Sequence, residues 1–157
     1  MSEPKLRAIP EQTVIAIEHI GSYDEIGKVY QELSEWAKDN GVRVVGKGLT
    51  IFHSPPNEFD ARTARFEVCL QIEGSVKSAG RVKVKLLPAA KVFCYRHTGP
   101  YAQIPARYTE CLAWISAQGL EIVGPPREIY IRRPKGAVAT DTEAAKLVTE
   151  IQFPVNA

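Results

Sequence analysis

Two glutamates, Glu67 in "FEVCLQI" and Glu150 in "TEIQFPV", stand inside runs that otherwise read as apolar strands. A carboxylate in such a setting is costly unless something pairs it or uses it. A pair of them supports two kinds of chemistry. One ionised and one protonated carboxyl make a general base and a general acid for adding water to an electrophile. Poorly hydrated carboxylates in an apolar bowl instead recognise a cationic ligand that restores a charge partner. His19 in "EHIGSY" and His97 in "RHTGPY" end strand-like runs, with no Ser, Cys or Asp in register, and read as structural residues, not as triad or metal ligands. Cys69, Cys94 and Cys111 are odd in number, far apart and set among apolar residues, so they read as reduced thiols in the core. No metal site and no cofactor site is expected.

The two histidine motifs lie 78 residues apart, and the chain repeats itself at that offset. Pairing residues 6–53 with 84–131 gives 13 identities in 48 positions without a gap, from Pro10/Pro88 through Trp36/Trp114 to Ile51/Ile129. Ordinary composition would give about 3. Beyond Ile51 the match resumes with Glu67 against Glu150, offset by 83, so the second copy carries a loop five residues longer. Two long copies imply one duplicated domain over residues 1–157, with repeats at about 6–74 and 80–156; a solenoid needs three or more.

Each copy reads as strand, helix, strand, strand. Thr13–Ile20 and Lys91–Thr98 are β-branched and aromatic. Ile26, Val29, Tyr30, Leu33 and Ala37, and Ile104, Tyr108, Cys111, Leu112 and Ile115, then recur at helical spacing. Gly41 and Gly119 stand where a left-handed cap ends each helix. Strands are expected over 48–53, 64–72, 127–133 and 146–154, and "RVKVKLL" (Arg81–Leu87) alternates charge as a strand with one wet face does. Residues 54–62 and 134–144, rich in Pro, Gly, Asp and Asn, read as exposed loops.

The fold class is therefore α+β: duplicated βαββ units forming one eight-stranded antiparallel sheet with two helices on one face. Strand parity assigns Thr149, Ile151 and Phe153 to the helix face and Glu150 to the other, with Glu67 its equivalent. Taking Ile51 and Ile129 as core residues turns Phe52 and Tyr130 to the glutamate side.

Composition narrows the function classes. Twenty basic and 18 acidic residues leave a net charge of +2, no footprint for nucleic acid. No apolar run reaches the roughly 18 residues of a membrane helix, and the start lacks the pattern of a signal peptide, so a cytoplasmic address is expected.

"HTGPYAQIPARYTECLAWISAQGLEIVGPPREIYI" followed by "TEIQFPV" resembles the GyrI-like, or bacterial transcription-activator effector-binding, domain family, across essentially the whole chain. The resemblance implies a concave cleft across the sheet that takes aromatic, often cationic compounds, with Glu150 at its centre. With the parity reading, the expected ligand set is Glu150, Glu67, Phe52 and Tyr130, joined by Trp114, Trp36 and Tyr101 of the repeated motifs, although these last three also fit packing roles. Many relatives carry a fused DNA-binding segment, and this chain has no residues left over for one, so direct operator binding is not expected. Homodimerisation stays open, and contact with DNA gyrase is implied by the family name alone.

Two functions of different class follow. The first is a stand-alone module that sequesters or senses planar, hydrophobic or cationic small molecules. The second, implied by hydrolase-like relatives, opens strained cyclopropane rings of DNA-alkylating natural products. In that reading Arg65 keeps Glu67 ionised as the base, while Glu150 in drier surroundings, together with Tyr130, supplies the acid.

Overall fold

The computed structural model describes residues 4–54, 64–133 and 141–156. In chain order it forms strands β1 (Lys5–Ile9) and β2 (Gln12–Gly21), helix α1 (Ile26–Asp39), and strands β3 (Arg43–Val44), β4 (Leu49–Phe52), β5 (Ala64–Glu73), β6 (Val82–Leu87) and β7 (Ala90–Thr98). Helix α2 (Ile104–Ala117), strands β8 (Glu121–Ile122) and β9 (Arg127–Arg132), helix α3 (Asp141–Ala144) and strand β10 (Val148–Asn156) follow. A single turn of 3-10 helix leads into each long helix, at Tyr23–Glu25 and Tyr101–Gln103.

The residues group into two compact units. The first is Pro10–Ala89; the second joins Met1–Ile9 to Ala90–Ala157. In the first, β4, β5, β2 and β6 pair in that order, all antiparallel, with β3 added beside β5. In the second, β9, β10, β7 and β1 do the same, with β8 beside β10. The α+β class and its antiparallel strands are as expected, with eight strands of four residues or more among the described residues. The two-residue strands β3 and β8 add to that number, and α3 is a short third helix at the end of a segment expected to be loop. The rest of the two expected loops, residues 55–62 and 134–140, lies outside the described residues.

The pairing holds one feature that element order does not reveal. Strands β1 and β6 are sequence equivalents at the 78-residue offset, yet β1 pairs with β7 and β6 with β2. The lead strand of each repeat thus completes the sheet of the other.

The helices form for the anticipated reason. Val29, Tyr30, Leu33 and Ala37 of α1 are buried, as are Ile104, Tyr108, Cys111 and Ile115 of α2. Gly41 and Gly119 follow the helices at φ 63° and 69°, a left-handed conformation that costs other residues about 1 kcal/mol or more. Helix α1 packs on β5 and β2. In the second unit Ile104, Tyr108, Cys111 and Ile115 close a core with Phe93, Ile151, Phe153 and Val155, so the helix side of β10 is its Ile151 side. The other side is not simply wet. Val14–Ile17 of β2 are buried in succession, so neighbouring residues that point to opposite faces are both shut off from water.

Candidate functional site

Glu150 lies in the middle of β10, on the face away from α2, and its side chain is 3% exposed. Its cross-strand neighbour on β7 is Arg96. Arg96 donates from Nε to Oε1 at 3.0 Å, Arg7 of β1 donates from Nη2 to Oε2, and the Gln152 amide donates to Oε2 at 2.6 Å. Three donors from three strands thus fill most of the carboxylate's acceptor capacity. Beside them on the same face, directly across from Gln152, Cys94 is buried, and burial first, then the Glu150 charge, push its thiol's pKa upward.

Glu67 occupies the equivalent place on β5 and is as deeply buried, at 4%. Lys85 of β6 donates to Oε2 at 2.5 Å, and His53 Nε2 lies 3.1 Å from Oε1. Burial pulls the Lys85 ammonium down, but its hydrogen bond to Glu67 and the carboxylate's charge outweigh that, and its pKa ends above the usual value. Lys85 and Arg7 are themselves equivalents at the 78-residue offset. In both units, therefore, the strand glutamate is clamped by a cation from the lead strand of the other repeat.

Three expectations need correction. Arg65 does not hold Glu67; it pairs with Glu18 at 2.8 Å, and that hydrogen bond chiefly keeps the Glu18 carboxyl below its usual pKa. Glu150 is not in dry, uncompensated surroundings, because two guanidiniums reach it. The parity given to Phe52 and Tyr130 is reversed. Residues directly opposed in an antiparallel pair share a face, and the register opposes Ile51 to Glu67 and Ile129 to Glu150. Phe52 opposes Phe66 and Tyr130 opposes Thr149, which sets both aromatics on the face away from the glutamates. The cause is that Leu49, Thr50, Ile51 and Phe52 are all buried, so apolar pattern carries no parity signal there.

The aromatic residues named with the glutamates are thus divided from them. Tyr101, 39% exposed in the turn before α2, meets Tyr130 edge to face at 6.2 Å between ring centroids. Trp114 and Trp36 belong to the helices, the former half exposed and the latter partly buried.

The helix face holds polar groups that the sequence did not single out. Glu128 of β9 is buried and accepts a 2.6 Å hydrogen bond from the Tyr108 hydroxyl. Burial pushes the Glu128 carboxyl up to about 7, and burial, then the Glu128 charge, hold the Tyr108 phenol well above its usual value. Thr50 is the first unit's equivalent of Glu128, so nothing in the repeat flagged an acid at this position. His97 donates from Nε2 to the Pro100 carbonyl at 3.2 Å and accepts from Arg107 at Nδ1, while burial lowers its pKa. A neutral imidazole with both nitrogens engaged fastens a strand end to the turn before α2. His19 meets Glu25 at 2.7 Å and Arg81 at 2.9 Å. All three cysteines are free and buried. Among the described residues no group of three or more His, Cys, Asp and Glu could hold a metal ion, and no helix is long and apolar enough to cross a membrane.

Residues 2–156 match the model of the GyrI-like small molecule binding domain, and the chain belongs to that family. Among solved structures it is similar to EcmrR in its DNA complex, with 23% identity and a TM-score of 0.86 over 99% of this chain but only 57% of that one. It is similar to the EcmrR C-terminal domain, with 25% identity and a TM-score of 0.81, covering 99% and 98% of the two chains. A hydrolase from Listeria innocua shares the fold at 16% identity and a TM-score of 0.69, over 98% and 92%. No curated protein matches the chain.

Proposed function

We propose that this chain is a receptor that senses or sequesters planar, largely hydrophobic small molecules on the glutamate-bearing face of its strands. The observation that carries this reading is the placement of Glu67 and Glu150, 4% and 3% exposed on a face that the packed helices leave to other uses. Burying a charge and the two or three donors that hold it does little for stability compared with apolar packing of the same volume. A ligand gives the arrangement a purpose: Ile129 beside Glu150 and Ile51 beside Glu67 supply apolar contact, and the clamped side chains supply orientation. Membership of the GyrI-like small molecule binding domain family supports the same reading. A cationic ligand, the first expectation, would compete with Arg7 and Arg96 for Glu150, or with Lys85 for Glu67.

Calorimetric titration with naphthalene-2-methanol, a flat neutral probe, tests the face. Ile129→Asp should abolish binding and Trp114→Ala should leave it within about twofold; the opposite pattern removes the reading.

A second reading, hydrolysis of a strained cyclopropane, has one observation in its favour. His53 within 3.1 Å of Glu67 is an imidazole–carboxylate pair that can take a proton from water. Glu150, with three donors already on it, is badly placed to act as base, and Tyr130 on the other face is badly placed as acid. Mass detection of added water on a cyclopropane electrophile, lost in His53→Gln, would establish it; no added water with wild type removes it.

A further inference from the structure

Resting on the ligand-binding reading above, we infer that the Arg7–Arg96 pair selects a ligand carrying an anionic group, an aromatic carboxylate, and that this selection belongs to the second unit alone. The two glutamates are sequence equivalents, but their cross-strand neighbours differ in sign. Glu67 faces Glu18 on β2, whereas Glu150 faces Arg96 on β7. In the first cluster Lys85 and Arg65 are each bonded to an acid, Glu67 and Glu18, and among the described residues only the exposed Lys83, across from Ala16, is left over on that face. The second sets Arg7 and Arg96 against Glu150, with Arg127 across from Gln152 and Lys5 across from Cys94 on the same face, and is clearly positive.

That excess is available to a ligand. Glu150 engages the Nε of Arg96, so the two terminal nitrogens of that guanidinium have no partner among the described residues. Arg96 and Arg7 are 47% and 43% exposed while the carboxylate they share is 3% exposed. The buried acid therefore holds both guanidiniums, which remain about half exposed. A guanidinium whose terminal N–H groups point outward matches the two oxygens of a carboxylate, and fixing it in advance lowers the entropy lost on binding. Ile129, directly across from Glu150 on the side away from Arg96, is partly exposed and gives the aromatic body of such a ligand an apolar surface.

The test compares 2-naphthoate, naphthalene-2-methanol and 2-naphthylmethylammonium by calorimetry on the full chain. The expected order is naphthoate tightest by about tenfold, the ammonium weakest, with the advantage shrinking in roughly half-molar salt. Arg96→Gln and Arg7→Gln should each bring naphthoate down to the level of the neutral probe, while Arg43→Gln, in an exposed pair with Glu73, changes the affinity of neither. Arg96→Glu, which sets an acid across from Glu150 as Glu18 stands across from Glu67, should put the ammonium ahead. Where a variant fails to fold, the wild-type order and its salt dependence still decide. An ammonium that binds wild type as tightly as naphthoate, or unchanged naphthoate affinity in folded Arg96→Gln, overturns the inference. If naphthalene-2-methanol binds but charge makes no difference, only this inference falls; if none of the three binds, the ligand-binding reading falls with it.

Discussion

Arg7 and Glu150 stand 143 residues apart in the chain and share a hydrogen-bonded ion pair in which the acid is buried and the base is half exposed. The pair joins the lead strand of the first repeat to the last strand of the second, so it records the exchange of lead strands as well as the chemistry of the site. Its energetic value follows from the asymmetry. Removing the base leaves a buried carboxylate short of a donor, whereas removing the acid leaves guanidiniums that can hydrate.

A double-mutant cycle of Arg7→Gln and Glu150→Gln should therefore show coupling of about 1–3 kcal/mol in urea unfolding, with Arg7→Gln the costlier single change. Independent effects that add to within about 0.3 kcal/mol would mean that the pair is not held in solution.

Glu128 gives the fold a pH dependence. Its pKa is raised to about 7 in the folded chain from an ordinary 4.5, so the folded state holds the proton more tightly than the unfolded one. Stability contributed by this group is complete below about pH 4.5, falls as pH rises toward 7 and then levels, a loss of roughly 3 kcal/mol. Glu128→Gln keeps an acceptor for the Tyr108 hydroxyl and removes the charge. Its melting temperature should exceed that of wild type at pH 8, with the advantage gone at pH 4.5; parallel pH profiles for the two proteins would contradict this.

How much of this the sequence discloses depends on where its signal is periodic. The stripes of α1 and α2 were legible because Val29, Leu33 and Ala37, or Ile104, Tyr108 and Cys111, recur at helical spacing beside exposed positions. The two glutamates were legible because an acid interrupts each apolar strand, and parity along β10 placed Glu150 correctly opposite Ile151 and Phe153. Parity failed in β4, where four consecutive residues are buried and either face fits the pattern. The cations on the glutamates were out of reach for another reason. The chain order β1–β2 invites a hairpin, and only the observed pairing of β1 with β7 brings Arg7 to β10. One trace was present: Arg7 and Lys85 are both basic at equivalent positions.

Gly48 has no counterpart glycine in the second copy, and its neighbour explains why it is required. A Cβ there would sit 2.3 Å from the Tyr30 hydroxyl and 2.4 Å from a ring carbon. Gly48→Ala should cost about 1–3 kcal/mol in chemical unfolding. Tyr30→Phe should not rescue it, because the ring carbon remains; a smaller Tyr30→Leu should recover part of the loss. Full rescue by phenylalanine would show that the hydroxyl alone makes the contact.

The thiols offer a probe of packing. Burial pushes the Cys111 thiol up to about 12, and Cys69 and Cys94 are buried as well. A disulfide reagent at pH 8 should label none of the three in the native protein within minutes and all three in denaturant. Rapid labelling of Cys94 in the native state would show that the face beside Glu150 opens to solvent.

The face on which a ligand sits separates the ligand-binding reading from its rivals, and amide chemical-shift mapping reports it with a probe whose charge plays no part. On titration of the labelled chain with naphthalene-2-methanol, the largest shifts should fall at Ile129, Glu150 and Gln152 or at Ile51 and Glu67, and those at Tyr101, Tyr108 and Trp114 should be small. Shifts confined to Tyr101, Trp114 and their neighbours would put the ligand against the helices and contradict a glutamate-centred site.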